Sequence, residues 1–588
     1  MLGKIIEIID NSIDVELGID INSQPNLIGL HAVFEDGNKK IIGEIVDVNK
    51  ISMKINIVGE LEGENFTPGF SAKPSFSSSV RLIRLEELET IFGKQTPNLG
   101  QTPFGTSKIY QNYKINVSIN DFFSNHFSII GNSGSGKSHT VASVFQQLFK
   151  STRAPIKSNI FIFDAYGEYT NAFSQLNQAN QNIHYKTYTT NTKFSDTEVL
   201  KIPIWLLDVD DLALLLDANT ANQLPILEKT LKLVPILTGN SEDVIKHKND
   251  IIARALEDIL LSGGESTKIR DQVIAILTKF NTQNLNLESQ IVQPGYTRTF
   301  KQCLLIDKSG KMQEMELIVD FIRGYISEVS DGEVKVQYDT PYYTLKDLEM
   351  AMEFALISEG ILKSEKVYDY ANILSVRLHN LALSEYSEYF NYPTMVTRGE
   401  YINELLTDKM TGNKAQIVNF NINYVDDRLA KVITKILSKM LFNIAANNQR
   451  RGSMPFHIVI EEAHRYVQND KDIDLLGYNI FERITKEGRK YGVFLGLITQ
   501  RPSELSDTAI SQMSNFLILR ILHPKDLDYI RKMVPNISSE IVEQLKSLKP
   551  GNCIAFGNAF KVPMSLYITR PNPEPLSNNV DLEKIWFN

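Results

Sequence analysis

Along roughly the first ninety residues, apolar and polar positions alternate in short runs at 4–9, 28–34, 40–48 and 51–57. Glycines and Asp/Asn residues separate the runs, as at Asp36-Gly37-Asn38. A period of two broken by turn residues predicts strands. Many such strands in close succession predict a small β-barrel over 1–93. A strand at 80–85 and a short helix near 86–92 complete it. The next stretch carries Pro97, Gly100, Pro103 and Gly105 and is read as a linker over 94–106.

From residue 107 the pattern changes. Continuous apolar runs at 127–130 and 160–163 flank a helical pattern over 138–150. Strands that are apolar throughout and alternate with helices predict βαβ units and a parallel sheet buried on both faces. Runs of the same kind return at 416–420, 457–460, 492–498 and 516–521. Between them, 205–405 reads as mostly helical, clearest at 243–261, 268–280, 345–357 and 365–383, with β-like stretches near 303–306 and 316–320. The fold class is therefore α/β. A core over 107–204 and 406–570 is split by a helical insertion over 205–405. A strand-like stretch at 560–570 leads into an extended arm over 571–588.

Composition narrows the class. The chain has 588 residues, 43% hydrophobic and 22% charged, the balance of an ordinary folded protein. At roughly 150 residues per domain, there is room for about three or four domains. Acidic residues outnumber basic ones, 70 to 61, so bulk positive charge does not drive nucleic-acid binding, although a local basic patch still can. The two cysteines, Cys303 and Cys553, make neither a disulfide framework nor a cysteine-clustered zinc site, which fits a reducing interior. The first residues lack a signal-peptide pattern, and no run reaches the roughly 20 apolar residues of a membrane span. The expectation is a cytoplasmic protein with no membrane partner.

The chemistry concentrates at the ends of the apolar strands. Gly131-Asn132-Ser133-Gly134-Ser135-Gly136-Lys137-Ser138 fits G-x-x-x-x-G-K-[ST], with a strand running in and a helix running out. Glycines let the backbone curl so that its N–H groups face phosphate oxygens, and the helix N-terminus adds positive potential. Lys137 would then reach the β- and γ-phosphates and Ser138 would ligate Mg²⁺, making ATP and Mg²⁺ the expected ligands. His139 opens the helix near phosphate and is not read as a metal ligand. The strand 457–460 ends in Glu461 and Glu462. Phosphoryl transfer needs one carboxylate for the metal and one group to position water. The pair divides these roles, with Glu461 for metal and Glu462 for water. Gln500 follows the strand 492–498 and either senses the γ-phosphate or simply caps the strand.

In motif order the chain resembles the HerA family of hexameric DNA-translocating ATPases, within the larger group that includes FtsK-type motors. The resemblance rests on Gly131–Ser138 and on Asp164-Ala165-Tyr166-Gly167-Glu168-Tyr169. It rests also on Ile460-Glu461-Glu462-Ala463-His464, Glu487-Gly488-Arg489-Lys490-Tyr491-Gly492, Thr499-Gln500-Arg501-Pro502 and Leu548-Lys549-Pro550-Gly551. It implies a RecA-like P-loop ATPase core behind a HAS-barrel-like N-terminal domain. It also implies a homohexamer with double-stranded DNA through its centre, acting as an ATP-hydrolysing translocase or helicase. A partner nuclease or sirtuin-like NADase subunit, in DNA processing or antiphage defence, would complete it. The sequence carries no recognisable nuclease or NADase motif, so such an activity would come from the partner, with the barrel as the docking surface.

Two positions depart from the family pattern. Glu461 stands where Asp is usual, and Lys486 where Arg is frequent. Lys486, Arg489 and Arg520 are the candidates for a cation reaching a neighbouring subunit's γ-phosphate; a lysine supplies charge without the planar fork. Asp164 and Glu168 serve either the nucleotide and subunit coupling or a structural turn. His464 is read as packing or hydrogen-bonding locally. Residues 448–451 (Arg450 and Arg451) and 486–490 are the basic clusters available to DNA. Trp586 and Phe587 either dock on a neighbour or belong to a frayed end. The rival reading from another class is a nucleotide-controlled ring scaffold that assembles and activates an effector enzyme with little translocation.

Overall fold

The computed structural model describes residues 2–19, 26–37, 39–63, 65–151, 153–193, 197–239, 241–327, 342–362, 365–409, 411–533, 539–577 and 582–587. Asn38, the last residue of the expected turn, and residues 578–581 and 588 of the expected arm lie outside them. The chain divides into two compact units. One takes Met1–Val199, Gly399–Lys471 and Tyr478–Asn588; the other takes Leu200–Arg398 and Asp472–Gly477.

The first unit begins with seven strands: β1 (Gly3–Ile9), β2 (Ser12–Leu17), β3 (His31–Asp36), β4 (Lys39–Val48), β5 (Ser52–Glu62), β6 (Asn65–Pro68) and β7 (Ser79–Leu82). Their order is β2-β1-β7-β3-β4-β5-β6, and β2 also pairs with β5. That extra pairing closes a six-stranded barrel, with β6 appended to β5. Alternation explains how the barrel faces two ways. Phe34 and Ile41 join the barrel interior, whereas their neighbours Val33 and Ile42 join the larger core on the other side. The helix Leu85–Phe92 seats the barrel. Its buried Glu87 accepts from Arg81 Nη2 at 2.6 Å and Lys40 Nζ at 2.8 Å on the barrel strands.

A 12-stranded sheet follows, in the order β13-β12-β16-β11-β17-β18-β10-β19-β20-β21-β8-β9. The strands before the insertion are β8 (Gln101–Ser107), β9 (Lys114–Ser118), β10 (Phe127–Ile130), β11 (Ile160–Asp164), β12 (Tyr185–Thr189) and β13 (Glu198–Val199). Thus the stretch read as a linker ends in a strand. The insertion holds a hairpin, β14 (Gln290–Gln293) and β15 (Tyr296–Thr299). After it come β16 (Ile417–Asn421), β17 (Phe456–Ile460), β18 (Val493–Thr499), β19 (Asn515–Ile518), β20 (Asn552–Gly557) and β21 (Phe560–Ile568). From β13 through β19 every pairing is parallel; from β19 to β9 every pairing is antiparallel. Every residue of β10, β11 and β18 is buried, as continuous apolar runs in a sheet covered on both faces require.

The second unit is mainly helical, as the insertion's pattern predicts, with Leu224–Thr238, Glu242–Leu260, Ser266–Lys279, Leu345–Leu362 and Glu365–Leu383 as its longer helices. Two expectations fail here. The stretch 316–320 lies in the helix Met315–Arg323, which buries Ile318, Val319 and Ile322 on one face. The stretch 303–306 starts in the short helix Phe300–Cys303 and contributes an isolated bridge, Ile306 to Met312, rather than a strand. In the first, a β-branched run imitates a strand, although the i, i+1, i+4 spacing of its buried residues is helical. Among the described residues no helix is long and apolar enough to cross a membrane.

Candidate functional site

The sheet order decides what meets. β17, β18, β10 and β19 are consecutive and parallel, so their C-terminal ends lie side by side. Open parallel sheets bind ligands at such an edge. The glycine-rich loop leaves β10, the acid pair leaves β17, Gln500 follows β18 and Arg520 follows β19. Of the residues expected at a phosphate site, Ser133, Gly134, Gly136, Lys137, Ser138, His139, Glu461, Glu462 and Gln500 line one cavity of about 750 Å³.

Gly131, Asn132 and Ser135 build the loop. Gly131 N donates to Thr499 O at 3.1 Å, Asn132 N to Arg520 O at 2.9 Å and Ser135 N to Asn132 O at 3.1 Å. Gly136 begins the helix Lys137–Lys150 at φ 103°, a left-handed conformation that a side chain resists. A Cβ on it would lie 3.1 Å from Gly551 N, and Gly551 N donates to Ser135 O at 3.1 Å. The late Pro550-Gly551 turn is thus a prop under the phosphate loop. Lys137 Nζ donates to Asn132 O at 3.4 Å. Burial holds the lysine below its usual pKa, while Glu462, Glu461 and Glu168 pull it back up.

Adjacent residues on a strand point to opposite faces. Glu461 and Glu462 nevertheless both line the cavity, because Glu462 takes a left-handed turn at φ 47° and ψ 44°. Strain of this kind clusters at functional sites and costs on the order of 1–3 kcal/mol. Glu461 is 3% exposed; its Oε1 accepts from Tyr169 Oη at 3.1 Å, and its Oε2 is buried without a partner. Burial, then the Asp164 and Glu168 carboxylates, raise its pKa well above the carboxylate range. Burial also raises Glu462, against the opposing pull of Lys137, Arg465 and a hydrogen bond with Gln500. His464 Nδ1 lies 3.1 Å from Thr499 Oγ1 and 3.3 Å from Glu462 Oε2.

The acid that ends β11 and the one in the loop after it have different surroundings. Asp164 is fully buried and does not line the cavity; its oxygens are occupied by Gly167 N, Glu168 N, Tyr169 N and Asn419 Nδ2. Glu168 lines the cavity. Tyr166, Thr140 and the stretch Tyr567 to Pro571 line it as well, together with Ser577. Tyr166 belongs to the Asp164–Tyr169 motif and Thr140 follows the glycine-rich loop, but the stretch Tyr567 to Pro571 and Ser577 arrive from a distant segment with no local motif and are not singled out by the sequence. His139 lies 3.5 Å from both Glu574 Oε2 and Ser577 Oγ. Lys486, Arg489 and Arg520 do not line this chain's own cavity. Trp586 and Phe587 are exposed.

Residues 103–313 match the family described as Helicase HerA, central domain. The DNA double-strand break repair helicase HerA of Sulfolobus acidocaldarius is 24% identical over 539 residues, 91% of this chain and 81% of that protein. That of Pyrococcus furiosus is 23% identical over 531 residues, 89% and 78% of the two chains. Among solved structures, VirB4 of Thermoanaerobacter pseudethanolicus aligns with 81% of this chain and 98% of its own at 14% identity and a TM-score of 0.45. The resemblance to HerA helicases carried by the motifs therefore stands on sequence similarity along nine-tenths of the chain. The chain is an enzyme of the P-loop ATPase and helicase kind.

Proposed function

We propose that the chain is an ATP-driven motor that acts as a hexameric ring on double-stranded DNA. The observation that carries the reading is the single cavity into which the phosphate loop, Glu461, Glu462 and Gln500 converge. ATP fits its shape and donors: a glycine-rich loop at a helix N-terminus, with a buried lysine inside. Mg²⁺ fits its carboxylates, because Glu461 Oε2 is buried with no donor. Ser138 and Glu461 would hold the ion, which when bound supplies neutralising charge to the phosphates. Lys137 binds the β- and γ-phosphates, Glu462 orients and deprotonates the attacking water, and Gln500, tied to Glu462, responds to the γ-phosphate. Lys486 or Arg489 would complete the neighbouring subunit's site. Exposed Arg450 and Arg451 and the cluster at 486–490 are the surfaces offered to DNA phosphates.

The relatives' name as double-strand break repair helicases supports the DNA substrate. The family resemblance supports an effector subunit, a nuclease or sirtuin-like NADase, supplied by a partner in DNA processing or antiphage defence. One observation favours the scaffold alternative: Glu461, already longer than the usual aspartate, has one oxygen engaged by Tyr169. Steady-state ATP hydrolysis with and without linear duplex DNA separates the two. The motor requires strong stimulation by DNA and a fall of about 10²–10⁴-fold in Glu462→Gln. Slow hydrolysis indifferent to DNA would shift the reading to the scaffold.

A further inference from the structure

The loop after β11 presents a carboxylate to which the motor reading gives no role. Asp164 Oδ1 accepts from Gly167 N at 2.8 Å and Glu168 N at 3.0 Å, and its Oδ2 accepts from Tyr169 N at 3.0 Å. Leu576 N donates to Glu168 O at 2.8 Å from the other side. The backbone at Glu168 is therefore clamped, and its side chain lines the phosphate-loop cavity. The Ser138 hydroxyl hydrogen-bonds its carboxylate, while its Oε2 is buried without a partner.

Glu461 lines the same cavity and repeats the pattern. It is 3% exposed, Tyr169 Oη occupies one oxygen, and the other oxygen is buried without a donor. Two carboxylate oxygens left without hydrogen bonds in one cavity are costly unless a proton or a cation supplies what the protein does not. Among the described residues no three His, Cys, Asp or Glu side chains group closely enough to hold a metal unaided. A cation held by these carboxylates would need Ser138 and phosphate oxygens of the nucleotide to complete its shell.

We propose that Glu168 is a metal-holding residue of this site, sharing the divalent cation with Ser138 and Glu461. This rests on reading the cavity as an ATP and metal site. It gives the Gly167-Glu168-Tyr169 segment two roles, since Glu168 addresses the metal and Tyr169 fixes the orientation of Glu461. The lengthened acid at 461 then shares the work of binding metal.

The test measures Mn²⁺ binding to the full chain by electron paramagnetic resonance, with a saturating non-hydrolysable ATP analogue. Affinity for the analogue in EDTA is measured separately. Glu168→Gln is expected to weaken Mn²⁺ by roughly 10–100-fold while leaving metal-free analogue affinity unchanged. Unchanged Mn²⁺ affinity with the analogue bound would overturn the proposal and leave Glu168 as a hydrogen-bond partner of Ser138. If the glutamine variant loses metal-free binding too, Glu168→Asp decides, since it keeps the charge but withdraws it: weakened Mn²⁺ supports the proposal and wild-type affinity overturns it. Failure of the wild-type chain to bind the analogue at all would instead strike the ATP-site reading itself.

Discussion

Burial and the neighbouring Asp164 and Glu168 carboxylates hold the Glu461 carboxyl far above its ordinary pKa of 4.5. In the unfolded chain the group ionises near that ordinary value; in the nucleotide-free fold it keeps its proton to much higher pH. Stability is therefore fully present below pH 4.5 and is lost as pH rises through the folded value. Glu461→Gln removes the ionisation and keeps an oxygen for the Tyr169 hydroxyl. The variant should gain roughly 0.5–2 kcal/mol in the nucleotide-free state at pH 8 while losing ATP hydrolysis, a trade of activity for stability. The gain should vanish near pH 4. Denaturant midpoints at the two pH values check it, and equal gains at both would refute the electrostatic account. Lys137 and Ser138 are legible in the sequence because they close a glycine-rich G-x-x-x-x-G-K-[ST] loop between a strand and a helix, and Glu461 and Glu462 because they follow an apolar run at a strand end, where polar side chains need a reason to be. Glu168 is ambiguous there, since its meaning depends on Asp164 absorbing the turn's backbone donors. Tyr169 is visible as part of a motif but its bond to Glu461 is not, and the Tyr567 to Pro571 stretch is invisible, because the partners lie far apart in the chain.

The same contrast holds among elements. The buried parallel strands β10, β11, β17 and β18 lie within a residue or two of their sequence patterns, because strands covered on both faces are apolar without interruption. The hairpin β14–β15 leaves no such trace: Gln290–Gln293 and Tyr296–Thr299 expose much of their surface and carry no sustained alternation. Helix Met315–Arg323 misleads, since its short β-branched run satisfies strand propensity while its buried residues follow helical spacing. What ties element to function is the contact between β18 and β10. A Cβ added at Gly496 would lie 2.4 Å from Phe127 Cζ, at the root of the strand that feeds the phosphate loop. Phe127 is 1% exposed and its ring is 5.1 Å from that of Phe122, so it has little room to retreat. Gly496→Ala should cost about 1–3 kcal/mol by overpacking and weaken ATP binding with it. Calorimetric unfolding and nucleotide titration read the two effects; a variant unchanged in both would show that β10 shifts without cost.

At the scale of the whole molecule, the cavity contains the loop, the acids and Gln500, yet Lys486 and Arg489 lie elsewhere. Both sit on helix Ile480–Tyr491, whose start is packed through Glu482, hydrogen-bonded by Ser506 Oγ at 2.8 Å. Lys486 Nζ lies 3.7 Å from Glu482 Oε2 with its side chain 55% exposed, and Arg489 is exposed one turn further along. In the motor reading, an exposed cation outside its own chain's cavity would serve the nucleotide of another copy. The motor reading makes this testable by mixing two inactive variants. Lys137→Ala spoils its own phosphate site but keeps Arg489; Arg489→Ala keeps its site but offers nothing to its neighbour. In rings assembled at random from equal amounts, about a quarter of the interfaces pair an intact site with an intact cation. ATP hydrolysis should return to a comparable fraction of the wild-type rate, and the same experiment with Lys486→Ala assigns the role between the two. Recovery in one mixture names the residue that crosses the interface. No recovery in either, with both variants shown to enter the same rings, would mean that neither crosses. Arg520, whose carbonyl already holds Asn132 in the phosphate loop and whose Nε is buried without a partner, would then be next to test.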